Sequence, residues 1–324
     1  MTAYNRGMTM TSRFTVAVAA LAAAGLILAA TRTTSSQAAR QARVALTFDD
    51  LPSHGPVPQG LSRVDIAKRI IDTLQNYQAP PTYGFINAKK VADRPEDEDV
   101  LRVWRAAGFP LANHAYSHMD LHTNTADAFE RDVLANEPAL RALMGDADWH
   151  WFRYPFLREG DTPEKYHAVK AALVKHGYRI AQVTLDFNDY AYNDPYARCL
   201  AREDEEAIAW LKQSYLDRAS DSLTRGQDAA RAIFGRDINH VMLLHIGGFE
   251  TVMLPKLLDL LRDRGFVLTT LEDAQSDPAY ATVPDRQGNW NGTLLNQLRT
   301  RPSQPPAEPP AGPTVFEKLG AICR

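Results

Sequence analysis

From residue 42 onward the apolar positions change period repeatedly. Residues 44–48 (VALTF) are a short, β-rich run that ends on two carboxylates, Asp49 and Asp50, and they read as a strand. Residues 62–77 follow a helical period instead, with Ile66, Ile70, Ile71 and Leu74 on one face. Ser62, with Asp65 three residues later, resembles a capping box. Residues 82–86 return to strand character. A second helical stretch ends at Gly108 and passes into Phe109-Pro110-Leu111. A third opens on Thr162-Pro163, a good N-cap and first-turn pair, and ends at Gly177 before Tyr178-Arg179-Ile180. A fourth ends at Gly265 before Phe266-Val267-Leu268. Helix, glycine, aromatic, strand thus recurs three times, and glycine suits the left-handed residue that closes a helix. Further strands are expected at 149–154, 180–185 and 240–245.

Alternating strands and helices imply a parallel sheet. About seven strands over roughly 230 residues suit a (β/α) barrel, whose usual size is ~250 residues. An open doubly wound sheet is the alternative, but the chain has neither a G-x-G-x-x-G nor a G-x-x-x-x-G-K-[ST] motif to support a nucleotide-binding version. Residues 191–236 are long for one crossover and are expected to hold two helices and a loop near the site. Residues 301–313 (RPSQPPAEPPAGP) read as an extended proline-rich linker. The tail beyond it is expected to dock back by its apolar residues.

The first 38 residues follow a different pattern. They hold Arg6, Arg13 and Arg32, no acidic residue, and the apolar run FTVAVAALAAAGLILAA, followed by small polar residues. That order is a secretory signal peptide. An uncleaved N-terminal anchor is the alternative, because the run reaches the lower edge of bilayer-spanning length. Either reading places the remainder outside the cytoplasm, secreted or periplasmic, and cleavage leaves no stable membrane insertion. The domain reading is therefore 1–38 signal peptide, 42–300 a single catalytic domain, and 301–324 linker and tail.

Composition narrows the classes further. At 324 residues, 45% hydrophobic and 23% charged, the chain is neither disordered nor collagen-like. A net charge of -3 argues against a nucleic-acid partner. Two cysteines, Cys199 and Cys323, cannot build a four-cysteine zinc site. Outside the cytoplasm they fit either one bridge that ties the tail to the body or two unpaired thiols.

In a barrel, chemistry sits at the C-terminal ends of the strands. The first strand ends in Asp49-Asp50, the third leads into Asn113-His114-Ala115-Tyr116-Ser117-His118, and the fourth carries Arg153-Tyr154-Pro155-Phe156. The fifth ends in Asp186-Phe187-Asn188-Asp189-Tyr190 and a late strand ends in His245. His114 and His118 are four apart, a spacing that on a helical turn puts two imidazoles on one face to share a metal. The second position is not Glu, so this is not the metalloprotease H-E-x-x-H. A carboxylate from the first strand end is the natural third ligand, and two His plus one Asp leave positions open for water and substrate. A non-haem iron oxygenase uses the same ligand types, although the βα pattern and the export signal argue against it.

TFDD, H-x-x-S-H, R-x-P-aromatic, D-x-x-D-aromatic and L-x-H, in that order over residues 44–273, resemble the polysaccharide deacetylase family, the NodB-homology hydrolases of carbohydrate esterase family 4. The resemblance implies a distorted (β/α)7–8 barrel, a divalent metal (zinc first), and removal of acetyl groups from an N-acetylated glycan of the chitin-oligomer or peptidoglycan type. By position, Asp49 matches the catalytic base, and Asp50, His114 and His118 match the metal ligands. Arg153 matches the arginine that holds the base. The backbone N–H of Phe156 matches the oxyanion donor. Asp189 matches the partner of the general acid His245, and Tyr190 and Leu243 match the acetyl pocket. The implied alternatives are an esterase acting on O-acetylated xylan and an inactive glycan-binding module. Oligomeric state stays open.

Four positions depart from the family pattern: Leu51 for Gly, Ala115 for Ser or Thr, Phe156 for Tyr and Tyr190 for Trp. None removes a ligand, base or acid. His54, just after the first motif, reads as a solvated loop residue, with a place at the rim of the site as the alternative. His122, His150, His167, His176 and His240 carry no assigned chemistry, and Trp104, Trp149 and Trp151 read as core.

Overall fold

The helix–glycine–aromatic–strand unit has a specific backbone basis in the computed structural model, which describes residues 41–284, 290–299 and 313–324. In all three copies the aromatic N–H reaches a carbonyl five residues back: Phe109 to Trp104, Tyr178 to Leu173 and Phe266 to Leu261. The preceding glycine N–H reaches three residues back, and Gly108, Gly177 and Gly265 all have positive φ. This is the Schellman closure of a helix. A fourth copy closes the helix Arg63–Asn76, with Gln78 in the left-handed position (φ 54°) and Ala79 bonded to Leu74. That helix starts at a reciprocal Ser62–Asp65 capping box and buries Ile66, Ile70, Ile71 and Leu74.

The strands are β1 (Arg43–Leu51), β2 (Tyr83–Ile86), β3 (Leu111–Asn113), β4 (Trp151–Phe152), β5 (Arg158–Gly160), β6 (Arg179–Ile180), β7 (His240–His245), β8 (Val267–Leu268) and β9 (Trp290–Asn291). The main sheet is parallel and runs β6-β4-β3-β2-β1-β7, with β8 against the first residues of β1. β6 is shorter than the expected 180–185, but the chain beyond it stays beside β7. The Thr184 and Leu185 N–H groups donate to Val241 O, and the Leu243 N–H donates to Leu185 O. An isolated bridge joins Leu185 and Met242. The sheet therefore curls into a barrel whose seam is an irregular segment, which is the distortion.

Two-residue alternation sorts the side chains. Val44, Leu46 and Phe48 of β1 belong to the core that includes helix residues Ile70, Trp104 and Leu257. Ala45 joins Phe85, Ala112, Trp151, Ala181 and Val241 in a separate cluster inside the barrel. The three alanines leave volume in which Arg153 lies with its guanidinium 4.5 Å from the Phe85 ring centroid.

Between β6 and β7 the chain forms two helices, Asn193–Ala201 and the 30-residue Glu205–Phe234. The C-terminal helix Val315–Ala321 buries Leu319. Cys323 is disulfide-bonded to Cys199, which resolves the cysteine alternatives in favour of a bridge. The expected signal segment and nearly all of the proline-rich linker lie outside the described residues. Among the described residues, no helix is long and apolar enough to cross a membrane.

Candidate active site

At the C-terminal ends of the strands is a cavity of about 460 Å³. Asp49, Asp50, His114, His118, Phe156, Tyr190, Leu243 and His245 line it, together with His54, Asp186 and Asn291. Arg153 and Asp189 stand immediately behind this wall.

Regular alternation would send Asp49 and Asp50 to opposite faces of β1, but Asp50 leaves the strand conformation with a left-handed φ of 69°, and both carboxylates line the cavity. Asp49 stays on the interior face. Its Oδ1 accepts from Arg153 Nη1 at 3.1 Å. Arg153 is itself held by Nη2 to Thr47 Oγ1 (3.1 Å) and Nε to Ala181 O (2.6 Å). Burial pushes the Asp49 carboxyl up to about 6, against the opposing pull of Arg153 and His245. Leu51, where the family has glycine, fits because Gly84 has no side chain: a Cβ there would lie 2.5 Å from Leu51 Cδ2.

His114 and His118 do not share a helical turn. They lie on an irregular loop with left-handed residues at Ala115 (φ 60°) and His118 (φ 58°). Buried asparagines hold that loop. Asn87 Nδ2 donates to the carbonyls of His114 (2.7 Å) and Ala115 (2.9 Å). Asn113 Oδ1 accepts from the Ala115 N–H and from Asn136 Nδ2, both at 2.9 Å. The Ser117 N–H and hydroxyl both donate to Asp132. This network does without the hydroxyl that Ala115 lacks.

The residues present fit a divalent cation. One ligand atom each from Asp50, His114 and His118 lies within 4.8 Å of the others. His114 Nδ1 is 2.8 Å from Arg153 O. A carbonyl can only accept, so Nδ1 carries the proton and Nε2 presents its lone pair toward Asp50, the arrangement typical of a ligating histidine. Asp50 Oδ1 is buried with no hydrogen-bond partner. It faces His118 Nε2 at 3.4 Å and His114 Nε2 at 3.9 Å. Lys90 Nζ also approaches it at 3.2 Å while donating to the carbonyls of Asp50 and Ser53. Burial pushes His114 down to about 3 and His118 down to about 4, so both are neutral, as ligation requires. Burial would raise Asp50, but Lys90 and the two histidines hold it below the usual carboxylate range.

On the far side, Asp189 takes both polar hydrogens that His245 offers it. Oδ1 is 2.8 Å from Nδ1, and Oδ2 is 2.6 Å from the backbone N–H. A local turn aims Asp189: Asn188 is left-handed (φ 59°), and its N–H donates to Asp186 Oδ1. Burial would lower the His245 pKa, but the Asp189 carboxylate outweighs it and raises the imidazole to about 9. His245 is therefore a cation with Nδ1 committed to Asp189 and Nε2 left for the cavity. Phe156 has a φ of 60°, and its ring meets that of His118 at 4.4 Å between centroids.

The arrangement is a triad that could hold a cation, a buried carboxylate of raised pKa and a protonated histidine, facing one cavity. A sequence profile described as polysaccharide deacetylase matches residues 36–181. Over that stretch, 146 of the 324 residues, the chain is similar to the polysaccharide deacetylase family. Among curated relatives, a chitooligosaccharide deacetylase of Sinorhizobium fredii is 31% identical over 113 residues, 35% of this chain and 46% of that protein. One of Rhizobium leguminosarum bv. trifolii is 33% identical over 112 residues, 34% and 46%. The matched stretch thus spans about half the length of these relatives. A chitin deacetylase structure from Colletotrichum lindemuthianum superposes with a TM-score of 0.51 at 21% identity, covering 77% of this chain and 92% of that one. A mutant of a pseudoenzyme from carbohydrate esterase family 4 gives 0.50 at 15%, covering 72% and 67%. These two likenesses show the barrel fold alone.

The profile match ends before Asp189 and His245, and only the folded chain brings these two across from Asp49. Sequence reasoning also missed parts of the wall. Lys90 and the buried asparagines leave no motif. Asn291, Gly292 and Asn296 line the cavity from β9 and the helix Leu294–Leu298, and β9 is held by antiparallel pairing with β5. His54 is not a solvated loop residue. It lines the cavity, and its side chain is 25% exposed. The only local hint was its position four residues after Asp50.

Proposed function

We propose that this protein is a metal-dependent deacetylase that releases acetate from an N-acetylated glycan of the chitin-oligomer or peptidoglycan type. The observation that carries this reading is the pairing of a buried carboxylate base and a protonated histidine acid across one cavity from the Asp50–His114–His118 triad. The names of the rhizobial relatives support the substrate class. A pseudoenzyme shares the fold, so the barrel alone does not argue for activity. The residues that would carry the reaction do.

A divalent cation at Asp50, His114 and His118, zinc by the nitrogen and oxygen donor set, would supply Lewis-acid polarisation of the acetyl carbonyl and make water more acidic. Asp49 accepts a proton from the attacking water, and its pKa near 6 suits a base at neutral pH. Arg153 holds Asp49 in one rotamer through Nη1. The backbone N–H of Phe156 donates to the oxygen that gains negative charge as the carbonyl carbon becomes tetrahedral. The C–N bond then breaks as His245 Nε2 gives its proton to the leaving nitrogen. Asp189 keeps the imidazole oriented and charged until that step. Leu243 and Tyr190 bound the space for the acetyl methyl group.

The 17-residue apolar run near the N-terminus supports export, and a glycan substrate outside the cytoplasm agrees with it. The test is acetate release from chitin oligomers, peptidoglycan and acetylated xylan, with and without chelator. Chelator-sensitive release from the first two supports the proposal. Release from xylan alone would make the protein an O-acetyl esterase. No release from any, or release that ignores chelator, would overturn it.

A further inference from the structure

His54 is held in the cavity by contacts that fix which of its nitrogens carries the proton. Asn193 Oδ1 accepts the Phe249 N–H at 3.0 Å, which orients the amide. Its Nδ2 therefore faces His54 Nδ1, at 3.2 Å. An amide nitrogen can only donate, so Nδ1 is an acceptor and the neutral ring carries its hydrogen on Nε2. Burial pushes the His54 pKa down to about 4, consistent with a neutral ring. The contact is tightly built. Asn193 sits so close to Gly247 that a Cβ there would lie 2.1 Å from Asn193 Nδ2. The His54 backbone N–H is tied to Ile246 O at 2.9 Å.

The Nε2 hydrogen has no acceptor within hydrogen-bond distance among the described residues. The nearest anion, Asp50 Oδ2, is 3.9 Å away, too far for a hydrogen bond. The imidazole lies 5.2 Å from the His245 ring and 5.7 Å from the Tyr190 ring, between centroids. A fixed donor thus points into the cavity beside the group that protonates the leaving nitrogen. A donor whose orientation is set in advance and that opens on the cavity is available to an acceptor atom of a ligand.

We propose that His54 is a substrate-contacting residue whose Nε2–H donates to an oxygen of the sugar that carries the leaving nitrogen, so that the site selects a sugar amide over a simple acetamide. This rests on the glycan deacetylase reading above. The closing experiment uses the full chain loaded with zinc. Binding of the N-acetylglucosamine tetramer is measured by calorimetry in an Asp49→Asn background, where turnover is blocked. The ratio of kcat/KM on the tetramer to that on acetanilide is measured with Asp49 intact.

His54→Ala is expected to weaken tetramer binding about three- to tenfold, the range of one hydrogen bond, and to lower the ratio by a similar factor. His54→Gln places an amide N–H near the Nε2 position and should recover most of both. His54→Asn reaches only as far as Nδ1 and should not. Unchanged tetramer affinity in His54→Ala would overturn the inference. So would an equal loss on both substrates, or loss of bound zinc, which would mean that His54 acts through Asp50. If the unmutated protein releases no acetate from any glycan, the deacetylase reading fails. In that event the binding series still decides about His54, and absence of tetramer binding in the Asp49→Asn parent counts against it.

Discussion

Replacing Asp189 with Asn separates the charge of the His245–Asp189 pair from its shape. Asn keeps an oxygen for one of the two His245 hydrogens but removes the negative charge that raises the imidazole from 6.5 to about 9. At pKa 9 about 97% of His245 is protonated at pH 7.5, whereas at its ordinary value about 9% is. The acid form therefore falls about tenfold at pH 7.5, about 75-fold at pH 8.5 and by less than a third at pH 6. The assay is kcat/KM for acetate release from a chitin oligomer over pH 5.5–9.5, with metal content checked at each end. The unmutated enzyme should gain rate through about pH 6 as Asp49 deprotonates and then hold it until about pH 9, whereas Asp189→Asn should begin to fall above about 6.5. A loss of the same factor at every pH would refute the reasoning, because it would mean that Asp189 acts by geometry and not through the His245 proton. The pair also bears on stability. The His245 contribution, about 3 kcal/mol for a shift of this size, is fully present below about pH 6.5. It is lost as pH rises through about 9, so thermal melts should drop across that window.

Other outcomes are expected. Arg153→Lys strips the fork from Thr47 and Ala181 inside the barrel. It should cost about 3 kcal/mol in urea unfolding, the scale for breaking a buried charged network, and lower kcat more than it raises KM. Dialysis against a chelator should abolish acetate release, and added zinc should restore it. His118→Ala should lower bound zinc by at least tenfold in equilibrium dialysis. Cys323→Ser opens a loop of 124 residues and should lower the melting temperature, with a chain-entropy ceiling of about 5 kcal/mol. Non-reducing peptide mapping of the unmutated protein should recover Cys199 and Cys323 in one linked pair.

Local order along the chain was legible because helices and strands repeat at short, fixed spacings. The Ile66–Ile70–Ile71–Leu74 face, the Thr162-Pro163 start and the three glycine closures each depend on residues within about five positions. The strand-end carboxylates and histidines were legible for a related reason: a parallel barrel puts every strand's C-terminal end on one rim. Asp49, His114 and His245 therefore converge once the fold class is known.

Other features had no short-range pattern to read. The His114–His118 pair looked like one helical turn, yet left-handed residues and buried asparagines bring the two rings together. Barrel closure depends on residues 184 and 185 meeting β7 across a 30-residue helix. The wall at Asn291 and Asn296 depends on β9 finding β5. His54 gained its place from Asn193, 139 residues away. The sequence by itself determined which elements form and which reactive side chains end on the rim, since both follow from periodicity and the direction of the strands. Only the tertiary structure decided rotamers, proton positions and pKa values. These depend on burial and on partners whose separation along the chain leaves no local trace.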